Sequence, residues 1–191
     1  MSPRATAILS GLFFAVVFVA VAGFLLYGEY QKWRLENDYG ETIATMCVTP
    51  NDSVASLGNG PRIMKPWRAV VIDGEKKHSV NGMLPAEAQG KDAASTDVVI
   101  CVNKIGKQVI EECPYRSIDT GQRFIVRRVQ YFQNLVVLNA ATGDRITTVA
   151  SVGSAPEECP YRYRGKDDDE LLGGKPGDRE MYYAVMNAIW R

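Results

Sequence analysis

Between Ala7 and Tyr27 the chain runs for 21 residues without a charge, and 13 of them are Ile, Leu, Val or Phe. A water-facing surface cannot carry such a stretch. As a helix rising 1.5 Å per residue it spans roughly 30 Å, the thickness of a bilayer's hydrocarbon core. At roughly −0.4 kcal/mol per large apolar residue, insertion is favoured by about 5 kcal/mol. The sequence therefore predicts a single transmembrane helix over 7–27, in contact with membrane lipid, behind a short cytoplasmic amino terminus over 1–6. The alternative is a cleaved signal peptide, with Ala20-Val21-Ala22 as the small-residue site. Against it, the apolar run continues through Phe24, Leu25 and Leu26, longer than the roughly 7 to 15 residues of a signal-peptide core. An uncleaved signal anchor is the expectation.

Flanking charge does not orient the anchor, because Arg4 on one side faces Lys32 and Arg34 on the other. The cysteines do. Disulfides persist outside the cytosol, so pairing among Cys47, Cys101, Cys113 and Cys159 puts the carboxy-terminal bulk in an extracytoplasmic compartment and the amino terminus inside. Four cysteines allow three connectivities. Cys101 and Cys113 read as facing positions of a predicted hairpin, where cross-strand Cα separations of about 4.5 to 5.5 Å suit a bridge. Cys101 with Cys113 and Cys47 with Cys159 is thus the favoured pairing. No Cys-x-x-Cys spacing occurs, which disfavours redox and metal roles.

The rest reads as mainly β. The 28–66 stretch begins as a juxtamembrane helix, with Tyr27, Tyr30 and Trp33 at the interface, and becomes a Pro- and Gly-rich linker that includes the glycosylation sequon Asn51-Asp52-Ser53. Over 67–162 a disulfide-braced antiparallel β domain, sandwich-like or barrel-like, is expected. Its strands are 67–73, 97–103, 108–113, 123–131, 135–139 and 145–152, with a polar excursion over 75–96 carrying at most one helical turn. A turn at Lys104-Ile105-Gly106-Lys107 joins the second and third strands. Val129, Tyr131, Leu135 and Val137 alternate in patches with Arg127, Arg128, Gln130 and Gln133, as in a sheet with one wet face. Over 163–191 a polar loop leads to an amphipathic helix with Asp178 as N-cap. Its apolar face includes Tyr182 and Met186; with Trp190 these are the candidate contacts for a partner.

The hexamer Glu-Glu-Cys-Pro-Tyr-Arg occurs twice, at Glu111–Arg116 and Glu157–Arg162. Each copy follows a strand-like segment and a glycine, Gly106 or Gly153, so the two read as matched corners where Pro114 and Pro160 stop a ladder and Tyr115 and Tyr161 cover the core. Together with Val99–Val102, Cys113–Tyr115, Ala140–Gly143, Gly153–Pro156 and Cys159-Pro160, this pattern resembles bacterial membrane-anchored proteins of uncharacterised function. The resemblance spans about residues 67 to 162. It implies a small β domain and no activity.

With 22 Lys+Arg against 22 Asp+Glu the chain has no overall field to attract nucleic acid. One histidine, His78 in a polar turn, excludes every mechanism that needs two imidazoles. The run Asp167-Asp168-Asp169-Glu170 lacks the alternating spacing of a calcium loop and reads as solvated. No phosphate-binding fingerprint, cofactor site or catalytic residue stands out. The expectation is a non-enzymatic binding module on a single-pass anchor, such as an accessory subunit of a membrane complex. The alternatives are an envelope enzyme using carboxylates and tyrosines, or a purely structural envelope protein.

Overall fold

The computed structural model describes the backbone of residues 3–48, 66–165 and 167–190, with side chains from residue 16 onward and excepting those gaps. Residues 1–2, the side chains of 3–15 and the linker 49–65 with its sequon lie outside the described residues, so the expected cytoplasmic terminus 1–6 is described only as backbone from Pro3. Helix α1 spans Pro3–Thr45. Among the described residues no helix is long and apolar enough to cross a membrane. The described part of the apolar run is nevertheless helical and uncovered by the rest of the chain: Phe18, Phe24 and Leu26 are 75, 79 and 71 % exposed.

Farther along α1, Leu35 and Tyr39, four residues apart, share one face, and with Ile43 beyond Gly40 they are buried on the sheet. Gly40, at φ 79°, breaks the regular backbone; a side chain there would be strained, and the break lets Ala44 and Cys47 also reach the sheet. The buried Tyr39 hydroxyl donates to the Gly90 carbonyl at 2.8 Å and accepts from Lys77 Nζ at 2.7 Å.

Among the described residues one sheet holds all six strands: β1 (Ala69–Asp73), β2 (Lys76–Lys77), β3 (Val98–Arg116), β4 (Arg123–Asn139), β5 (Arg145–Val152) and β6 (Glu170–Leu172). Along the sheet the order is β2-β1-β3-β4-β5, with β6 beside β4 farther along the edge that β5 occupies. Val70, Ile72, Val99 and Leu138 point to α1. Val71, Ile100, Leu135 and Val137 point to the other face, against Met181, Val185 and Ile189 of helix α2 (Asp178–Ile189) and Val80, Leu84 and Ala88 of two short 3-10 segments. The unit is therefore helix, sheet, helix. A sandwich of two sheets and a closed barrel are both ruled out by a single sheet with each face covered by a helix.

The sheet is mixed, which corrects the antiparallel reading: β1 runs parallel to β3, and β6 parallel to β4. The 75–96 crossover, with two 3-10 segments where at most one helical turn was expected, supplies the length that a parallel return needs. Ala69–Ile72 and Val98–Val102 are apolar without alternation because both faces are buried there. Arg68 and Asp97 pin the start of this parallel pair. The guanidinium contacts both carboxylate oxygens at 3.1 Å, and the backbone amide of Arg68 donates to the same carboxylate at 2.9 Å.

The predicted hairpin at 104–107 does not form. β3 is one strand of 19 residues, about 60 Å long, and the irregular stretch is taken up by two bulges, between Val102 and Ile105 and between Val109 and Glu111. Cys101 and Cys113 therefore sit on the same strand about 40 Å apart and cannot bond. The disulfides are Cys47–Cys101 and Cys113–Cys159, in place of the expected pairing. β4 is likewise continuous over both of its predicted pieces. Helix α2 begins as expected, but Gly177 is its N-cap, and Asp178 accepts from the Ser79 hydroxyl at 2.9 Å.

Two predictions follow from the polar contacts of Asn81 and of the Arg68–Asp97 pair. Asn81 is buried and imitates a neighbouring strand: its carbonyl accepts from Val71 N at 2.9 Å, and its amide donates to Val71 O and His78 O. Asn81→Ala leaves a buried Val71 amide unpaired and is expected to lower the unfolding free energy by about 2 kcal/mol in urea titration. The Arg68 fork holds the Asp97 carboxyl below the usual carboxylate range. Its contribution is present above about pH 4 and is lost as pH falls through the depressed value. With both side chains about two-fifths exposed, it is worth less than about 1 kcal/mol. Urea titrations of the chain and of Asp97→Asn should differ at neutral pH and converge on acidification.

Candidate functional site

Beyond Val102 and Leu135 neither helix underlies β3 and β4, and the two strands continue as an arm. What stiffens its far end is the doubled hexamer. The first copy is not a corner: Pro114 lies within β3, opposite Ile125, with its missing donor on the edge that no described strand pairs. The second copy lies in irregular chain after β5. The two copies are bonded to each other through Cys113–Cys159.

Around that bond the contacts are specific. Arg128, its side chain only 14 % exposed, reaches both copies: it pairs with Glu111 and donates to the carbonyls of Glu157 at 2.8 Å and Pro156 at 3.0 Å. The Tyr115 hydroxyl donates to Pro160 O at 2.8 Å, and its ring lies between Phe124 and Tyr163, at 5.6 and 5.5 Å. Burial and a hydrogen bond to Asp169 raise the Tyr163 hydroxyl above the usual tyrosine range. Gly153 is needed for backbone approach, since a Cβ there would lie 2.0 Å from the Gly174 carbonyl oxygen.

The acidic run is not merely solvated. Asp167 Oδ1 accepts from Ile125 N at 2.9 Å, Asp168 pairs with Arg127 at 3.0 Å, and Glu170 pairs with Lys107 at 2.7 Å. These carboxylates edge the arm. Among the described residues no three or more His, Cys, Asp or Glu side chains group as a metal site.

On this frame the turn over 117–122 closes with Ser117 N bonded to Gln122 O at 2.8 Å, and it exposes Ile118 by 95 %. Tyr161 is 94 % exposed, where covering of the core was expected. Arg116 and Arg123 stand directly opposite each other across the strands. The far end is thus a rigid surface that offers two large apolar groups and several cations.

The other candidates are placed as follows. Tyr182 and Met186 pack along the edge of the core under α2, while Trp190 ends the helix, bonded to Met186 O at 3.2 Å, and is half exposed. The three do not form one exposed face. His78 caps the first 3-10 segment, its Nδ1 accepting from Val80 N at 3.2 Å; Ser79 binds Asp178, so the imidazole does not stand between serine and carboxylate as a catalytic relay requires. A cavity of about 330 Å³ between α1 and this segment has one carboxylate in its lining, Asp38, alongside Arg34, Tyr39, Lys77 and His78. A wider cleft of about 1000 Å³ contains Asp97, already neutralised by Arg68, with Glu87 and Trp67.

Sequence reading missed Ile118 and placed Tyr161 against the core. One signal was present: an isoleucine inside Ser-Ile-Asp-Thr-Gly occupies a turn otherwise built of polar residues. Comparison with protein-family models, with curated proteins and with solved structures finds no match to this chain.

Replacing Cys113 and Cys159 by serine opens a 46-residue loop and is expected to cost about 4 kcal/mol on chain entropy. Arg128→Lys keeps the charge but cannot span the acid and both carbonyls, and should cost about 1 to 3 kcal/mol. Urea unfolding followed by near-ultraviolet circular dichroism of the tyrosines reads both.

Proposed function

We propose that this chain is a single-pass, membrane-anchored protein whose disulfide-braced domain lies outside the cytosol and serves as a binding module, such as an accessory subunit of a membrane complex. The observation that carries this reading is that all four cysteines are joined in two long-range disulfides. Such bonds persist in oxidising compartments, and thiol pools of the cytosol reduce them. The uncovered apolar side chains of α1 supply the second support, because an apolar helix with no protein partner is stable in lipid. The arm supports the binding role. Its disulfide, largely covered arginine and aromatic stack all rigidify a surface, and a rigid surface loses less entropy on binding.

Carbonate extraction and surface labelling test the reading together. The chain should stay in the membrane pellet, and an amine reagent that cannot cross membranes should modify Lys76 or Lys104 in intact cells whose outer layers are permeable to it. Release by carbonate, or labelling only after the cytoplasmic membrane is broken, contradicts the anchored topology.

A further inference from the structure

The far end of the arm carries a feature that folding alone does not favour. Arg116 and Arg123 are Cα partners in the last rung of the β3–β4 ladder, and like charges directly opposite in a sheet repel. Among the described residues neither has a carboxylate partner, whereas Arg127 and Arg128 farther back on β4 both do. Arg162 and Arg164 lie on the segment that Tyr115 holds through Pro160 and Tyr163. Both are exposed and likewise have no ion pair among the described residues. Ile118 stands on the turn that joins Arg116 to Arg123, and Tyr161 stands beside Arg162, whose guanidinium lies 6.0 Å from its ring; both are almost wholly in water.

We infer that this end binds an acidic segment of a partner protein that also inserts an apolar side chain against Ile118 and Tyr161; the inference rests on the binding-module reading and gives it a partner chemistry. Arginine and tyrosine are residue types enriched at protein interfaces and among the residues that carry most of their binding energy. Charge pattern favours a protein over an anionic membrane. Asp119, Glu158 and Asp167 are exposed on the same turn and neighbouring segments, and a bilayer surface would repel them, whereas a partner with its own pattern can avoid them. The open edge of β3 is a poorer docking line, because two bulges, Lys104 and Pro114 interrupt it.

The test uses the full chain in phosphatidylcholine nanodiscs, with both disulfides verified by mass spectrometry. The probes are a labelled peptide of glutamates around a single leucine and the same peptide with glutamine for glutamate. Fluorescence anisotropy should show the glutamate peptide binding at least about tenfold tighter at low salt, with the preference collapsing at high salt. Arg116→Gln with Arg123→Gln should abolish the preference, Ile118→Ser should weaken both peptides, and Arg34→Gln should change neither. Equal binding of the two peptides, or an unchanged preference in the double variant, overturns the inference. So does displacement of the peptide by phosphatidylglycerol vesicles acting through the same arginines at lower concentration, which would assign the end to a membrane. Because binding is measured on the purified chain, a wrong topology in cells leaves this result standing, and a failed peptide leaves the topology standing.

Discussion

Two strands that run on past both helices bury little apolar surface there beyond Val126 and Val129, and in this chain Cys113–Cys159 and Arg128 beside it brace them. The pair of hexamers exists to be joined. One copy contributes an edge of β3, the other a length of irregular chain, and the bond between them folds the 153–172 region back along the arm, where β6 adds to β4. Around the bond a nearly buried guanidinium satisfies one carboxylate and two carbonyls, so its charge is not left uncompensated. The exposed turn then sits at the end of a stiffened lever.

The near half of the molecule is held differently. There both sheet faces are buried, one under Leu35, Tyr39 and Ile43 of α1 and one under Met181, Val185 and Ile189 of α2. Cys47–Cys101 fastens the end of α1 to β3, and Lys32 pairs with Glu75 at 2.9 Å on the β1–β2 turn. The helix that carries the apolar run is thus part of the domain's own core. Under the proposed anchoring, the domain has no slack between itself and the bilayer, and the arm's direction is set by the helix.

Much of this was legible in the residues. β1, β5 and the terminal helix follow local signals of branched residues and a 3.6-residue period, and they occur where those signals put them. The apolar runs Ala69–Ile72 and Val98–Val102 also carried the information that both faces are covered, although patches of alternation farther along β4 suggested one wet face. The misread element was β3. Lys104-Ile105-Gly106-Lys107 has the composition of a turn, yet the cross-strand ladder with β4 continues through it by absorbing one residue in a bulge. Local composition cannot distinguish those outcomes, because the partner strand decides. The disulfide pairing fell with that hairpin, since two cysteines expected to face each other turned out to lie far apart on one strand. The site was the least legible part, because Ile118 and Tyr161 matter through their exposure, which only the fold reveals.

The account turns on the two hexamers being covalently joined in the cell. Peptide mapping without reduction, on the chain taken from intact membranes with thiols blocked at lysis, tests it most directly. The account predicts one linked pair containing Cys113 and Cys159 and another containing Cys47 and Cys101, with no blocked free thiol. Recovery of Cys101 joined to Cys113, or of four blocked thiols, would contradict it.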